Sequence, residues 1–286
     1  MANNDIAKYI TQNSGSNFSI SFQLLPETKR DAINTVYAFC RCTDDIVDED
    51  GDHSDKQQLL KRWAKELERG LCNESDYALL NKLNLIAKKF NIPVEHFFNL
   101  IRGMEMDLEK QRYETFDELY EYCYYVASTV GLMCSEIFGY TNKATLEYAV
   151  NLGIALQLTN IVRDVRSDAE RNRIYIPHED FERFGYTEEE LLNCQYNGRF
   201  MQLMKFEVDR AREYYHAARN KLAREDHKAF VAARIMDKVY YTILNKIERK
   251  HYRVFDETIS IPKIQKIAIA LTEYFSTAPV RISPTA

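Results

Sequence analysis

Glycine and proline are scarce in this chain, at 9 and 6 residues out of 286. That scarcity argues against a turn-rich β architecture and for long helices, because hairpins and sandwich corners draw on both residues. Long apolar runs are missing too. No window approaches the ~20 consecutive apolar residues of a membrane-spanning helix, and the most apolar stretch, Val126 to Phe138, is cut by Ser128, Ser135 and Glu136. The formal net charge of -5 gives no general affinity for nucleic acid or anionic lipid. Cysteines 40, 42, 72, 123, 134 and 194 match no zinc or disulfide spacing. With no signal peptide expected ahead of them, they read as reduced thiols of a cytoplasmic protein.

What is present is apolar and charged in globular proportion, 45% and 28%. The periodicity predicts helices over 27–48, 55–69, 76–90, 93–111, 116–139, 143–168, 198–224, 227–250 and 262–275, with a loop of short turns over 169–187. The polar segment through Phe22 reads as loop, and residues 276–286 read as a disordered tail. No repeat, linker or composition break divides residues 1–275, so they are expected to form one helical catalytic domain. No helix shows a clear interfacial signature, so membrane contact is expected to be peripheral at most.

Two helices carry acidic stripes. In the helix ending at Asp168, apolar residues such as Leu152, Ile154, Leu158, Ile161 and Val165 point nearly all round, which predicts deep burial. Gly153, Gln157, Asn160, Asp164 and Asp168 nevertheless share an arc of roughly 80°. Tyr37, Arg41, Asp44 and Asp48 form a similar stripe on the first long helix. Each stripe ends in two carboxylates four residues apart, a spacing that stacks them on one face, suited to sharing a hard cation. One such pair is usually a solvated face, and on residues alone that reading stays open beside a metal–diphosphate site. In the second reading, Arg41, Arg163, Arg166, Arg171 and Arg173 would take up remaining diphosphate charge. Acidic stripes without His or Cys favour magnesium over zinc.

Three segments together resemble the squalene/phytoene synthase family: FQLLPETKRDAINTVYAFCRCTDDIVDED (22–50), YCYYVASTVGLM (122–133) and LGIALQLTNIVRDVRSDAERNRIYIP (152–177). The likeness spans about 17–271. It implies an all-α fold, a single large helical bundle of the isoprenoid synthase type with a central cavity. It also implies head-to-head (1-1') condensation of two prenyl diphosphates through a cyclopropyl diphosphate. Carried over by position, Asp44, Asp48, Asp164 and Asp168, with Asn160, would hold Mg2+ or Mn2+ and diphosphate. Arg41 and Arg163 would contact diphosphate, and Gln157 would line the site. Tyr37, Tyr124 and Tyr240 would line the reaction cavity, Tyr124 alone of the tyrosines 120–125 facing it. Asp107 either backs the site or serves as a solvated or capping residue.

The expected reaction converts geranylgeranyl diphosphate to phytoene. The alternative is farnesyl diphosphate going to squalene, dehydrosqualene or presqualene diphosphate, with NADPH needed only for squalene. The chain departs from the family at Thr258, where a basic residue is common; the diphosphate subsite fed from there is either weaker or served by Lys263 or Lys266. Ser16-Asn17-Phe18 stands where Ser-Phe is common. A terpene cyclase or chain-elongating prenyltransferase would show different aspartate motifs, and a catalytically silent assembly factor would show eroded ones. The expected state is monomer or homodimer.

Overall fold

Apolar residues at helical spacing from Ala32 to Val47 build α1 (Glu27–Asp48), whose buried side opens the core. A computed structural model describes residues 21–48 and 51–276. The expected N-terminal loop before Ser21 and the tail beyond Ser276 lie outside the described residues. After α1 come α2 (His53–Leu71), α3 (Ala78–Phe90), α4 (Glu95–Glu109) and α5 (Phe116–Cys123). A π-helical turn (Tyr124–Ser128) joins α5 to α6 (Thr129–Phe138), and α7 (Ala144–Glu170) follows. Then come α8 (His178–Phe184), α9 (Glu188–Leu192), α10 (Gly198–Lys221), α11 (Val231–Arg249) and α12 (Lys263–Ser276). Among the described residues the sole β feature is an isolated bridge between Arg112 and Ile174. The all-α expectation holds.

Three boundaries differ from the sequence reading. The segment over 169–187 contains α8, whose left-handed stop at Gly185 (φ 59°) ends it after two turns. The helix expected from 227 begins at Val231, after a 3-10 turn at Arg224–Asp226. Asp226 holds that corner: its carboxylate accepts from Thr145 Oγ1 at 2.7 Å and from the Thr141 backbone at 2.8 Å.

The third difference shapes the site. The helix expected over 116–139 is interrupted by the π turn. In a regular helix each four-residue step drifts about 40°, so four steps from Tyr122 to Phe138 would turn the face about 160° away. The wide turn absorbs one residue, about 100°, and keeps Tyr122, Val126, Val130, Cys134 and Phe138 on one cavity wall. Close packing pins it there. A Cβ on Gly153 of α7 would lie 2.6 Å from the Ser128 Cα, and Ser128 Oγ donates to the Val150 carbonyl at 2.8 Å. Gly153→Ala therefore forces backbone apart rather than a side chain, and should cost about 1–3 kcal/mol. A thermal melt checks this; an unchanged Tm would mean the π turn yields freely.

Candidate functional site

α7 is buried nearly all round, from Tyr148 to Val165, as its composition predicts. It faces a cavity of about 330 Å³ enclosed by α1, α4, α6, α11 and the π turn. The deep part is apolar, with Ile33, Leu152, Phe138 and Phe230. Arg41, Asp44, Gln157 and Asn160 give the wall its polar character at the other end. Both α1 and α7 run from apolar to acidic along the wall: Ile33 to Asp44 is ~16 Å of helix, and Tyr148 to Asn160 is ~18 Å.

Both helices thus bring their C-terminal ends to the mouth. A helix C-terminus carries partial negative charge and usually attracts Lys or Arg. Neither α1 nor α7 has a basic residue in its last turn. They carry aspartates instead, so dipoles and carboxylates concentrate negative potential in one place.

Part of that potential is met internally. Arg41 pairs with Asp44 at 3.3 Å and Asp45 at 2.5 Å. Arg163 forks onto Asp164, its Nε 2.8 Å from Oδ1. Arg173 bridges Asp48 at 3.2 Å and Asp107 at 3.1 Å, and Arg171 stands 3.7 Å from Asp48. Asp107 also accepts the Tyr175 hydroxyl at 2.5 Å. Asp107 therefore backs the site rather than facing solvent, and it lies within electrostatic reach of Asp44, Asp48 and Asp168.

The compensation is incomplete. Burial, then Asp48, pushes the Asp44 carboxyl up to about 6. Burial, then Asp164, pushes Asp168 up to about 7, and Asp168 forms no ion pair among the described residues. Asn160 Nδ2 donates to Gln157 at 3.4 Å, but its buried Oδ1 accepts no hydrogen bond. Uncompensated carboxylates beside a vacant acceptor are a donor set for a hard cation. No three acidic, His or Cys side chains converge into a ready-made metal cluster among the described residues.

Tyr37 and Tyr240 are among the residues lining the cavity, and Tyr124 is not. Tyr124 opens the π turn and lies edge-on to Tyr125 at 5.8 Å. Tyr122 takes the wall position, stacked on Tyr175 at 5.3 Å. Nothing in the sequence marks the π turn, so the tyrosine register was out of reach. Asp48, Asp164, Asp168 and Arg163 stand outside the cavity lining proper, among the charges around its mouth.

A family model described as squalene/phytoene synthase matches residues 11–265. The chain belongs to the squalene/phytoene synthase family. This family member is 37% identical over 279 residues to the 15-cis-phytoene synthase of Synechocystis sp., covering 92% of this chain and 82% of that protein. It is 37% identical to the phytoene synthase of Arthrospira platensis, covering 92% and 89%. Among solved structures, a dehydrosqualene synthase superposes with a TM-score of 0.84 at 29% identity, covering 96% of both chains. A squalene synthase from Alicyclobacillus acidocaldarius superposes at 0.78 with 28% identity, covering 87% of this chain and 94% of that one. The chain is an enzyme, a prenyl transferase of the head-to-head class on the isoprenoid synthase fold. No helix among the described residues is long and apolar enough to cross a membrane.

Proposed function

We propose that the protein joins two molecules of geranylgeranyl diphosphate head to head, through a cyclopropyl diphosphate, to give phytoene. The observation that carries this reading is the meeting of two aspartate-ended helix C-termini at the polar end of one apolar cavity. Asp44, Asp48, Asp164, Asp168 and Asn160 would hold Mg2+, or Mn2+ in its place, and the bound ion would neutralise departing diphosphate charge. Arg41 and Arg163 contact the diphosphate oxygens as planar forks. Tyr37, Tyr122 and Tyr240 offer ring faces to the allylic cation, and the apolar wall keeps water from quenching it. The double bond of the second prenyl diphosphate attacks that cation and loses a proton to close the cyclopropane; departure of the second diphosphate then drives the rearrangement, and a second proton loss ends the reaction. The choice of geranylgeranyl diphosphate rests on the relatives named as phytoene synthases. The protein acts in the cytoplasm, as monomer or homodimer.

Lys266 completes the diphosphate subsite that Thr258 leaves without a cation. Burial, then the Arg163 charge, holds its ammonium below the usual lysine range, which supports a position near Arg163, the residue that forks Asp164. Lys266→Gln should raise KM for the diphosphate about tenfold, the worth of one charged hydrogen bond, with a smaller change in kcat. Steady-state kinetics decide this, and an unchanged KM removes Lys266 from the subsite.

Incubating the purified protein with Mg2+ and each prenyl diphosphate, with and without NADPH, tests the reading by product mass. Phytoene from geranylgeranyl diphosphate without NADPH is expected. No hydrocarbon from either substrate would defeat it. The superposition on a dehydrosqualene synthase favours a second reading, in which farnesyl diphosphate is the substrate; a C30 hydrocarbon would select it.

A further inference from the structure

Five of the ten large hydrophobic residues exposed among the described residues fall on one helix, α12. Ile264 is 79% exposed, Ile267 41%, Leu271 48% and Phe275 67%. At 100° per residue these four share an arc of about 80°. The opposite side is the packed one: Ala270 is buried, and Glu273 is buried in an ion pair with Arg234 of α11 at 2.6 Å. The helix is therefore apolar on its outward face. With Glu273 turned inward and paired, the remaining charges of α12 are Lys263 and Lys266, both in its first turn.

This face is one helix layer from the cavity. α12 packs on α11, and α11 contributes Ala232, Ala233, Met236 and Tyr240 to the cavity wall. We propose that the outward face of α12 docks the enzyme on an anionic lipid bilayer, with the apolar side chains among the acyl chains and Lys263 at the headgroups. The chemistry matches on both counts, an apolar stripe to enter hydrocarbon and basic charge without exposed acid beside it. Its purpose rests on the proposed function: a long hydrocarbon product has no stable place in water and must leave into lipid. A second copy of the chain fits less well. The stripe offers roughly 400 Å² per copy, about half of the ~800 Å² per partner that a stable interface buries.

Flotation of the full-length protein with vesicles of phosphatidylcholine and phosphatidylglycerol, without substrate, tests the docking. The wild type should float with anionic vesicles and be released by salt. The triple variant Ile264→Gln, Leu271→Gln, Phe275→Gln should bind at least tenfold more weakly, and Lys263→Gln about fivefold more weakly. Turnover of prenyl diphosphate in detergent micelles should be unchanged in the triple variant, which also reports that it folds. Wild type that stays with the soluble fraction, or a triple variant that floats equally, overturns the proposal. A wild-type dimer that the triple variant converts to monomer would assign the face to a second copy instead. Because flotation uses no substrate, it distinguishes a failure of the docking from a failure of the proposed reaction.

Discussion

Replacing Asp168 with asparagine should cut turnover by about 10²–10³-fold or more while raising the thermal stability of the metal-free protein. The two effects have one cause. Asp168 lies against Asp164 and within reach of Asp107, without an ion pair among the described residues, and its carboxyl is pushed up to about 7. An asparagine keeps the shape and removes a charge that the fold tolerates at a cost. Asp164 should behave differently. Its carboxylate is forked by Arg163, whose guanidinium is largely enclosed. Asp164→Asn should lose activity to a similar degree and also lose about 1–3 kcal/mol, because Arg163 loses the only carboxylate it forks among the described residues. Kinetics and melts on both variants check the contrast. Equal stability changes would mean that the Arg163 fork carries no weight, and unchanged turnover in either would remove that residue from the site.

That contrast marks where sequence and structure part. α1 and α7 were legible because helical periodicity and an off-period polar stripe are properties of a single helix. A shared site could be proposed from two such stripes, although on residues alone a solvated face stayed open beside it. The ion pairs could not. Arg163 and Asp164 are neighbours in the chain, which on a helix ordinarily sends their side chains to different faces, and the fork depends on local rotamers. Arg173 was readable as a cation but not as the bridge between Asp48 and Asp107, which lie on different helices. The π turn left no composition signal, so which of the tyrosines 120–125 lines the cavity could not be read from spacing. α12 shows the same limit: the sequence marks a helix over 262–275, and only the burial of Ala270 and Glu273 shows which of its sides faces outward.

The metal-free protein should lose stability as pH rises from about 4 to 7, over and above any effect of its other carboxylates. Asp44 and Asp168 titrate near 6 and 7 in the folded chain, against about 3.9 when unfolded. Between those values the folded state binds more protons than the unfolded one, so stability falls with increasing pH. Their contribution is fully present below pH about 4 and is lost as pH passes the folded values. The Asp44 carboxyl is 45% exposed at the lip, so solvent screens part of its cost. With that discount the two together amount to about 2–4 kcal/mol, or roughly 5–10 °C in Tm. Glu207, pushed up to about 8 by burial, acts in the same direction elsewhere in the fold. The site's share is therefore read as the difference between wild type and the double variant Asp44→Asn, Asp168→Asn. The wild-type melt should fall more steeply with pH, and Mg2+ with inorganic diphosphate should remove that excess slope, since a bound cation favours the deprotonated carboxylates. Parallel curves for the two proteins would mean that the aspartates are solvated independently, and the electrostatic account of the mouth would fail with them.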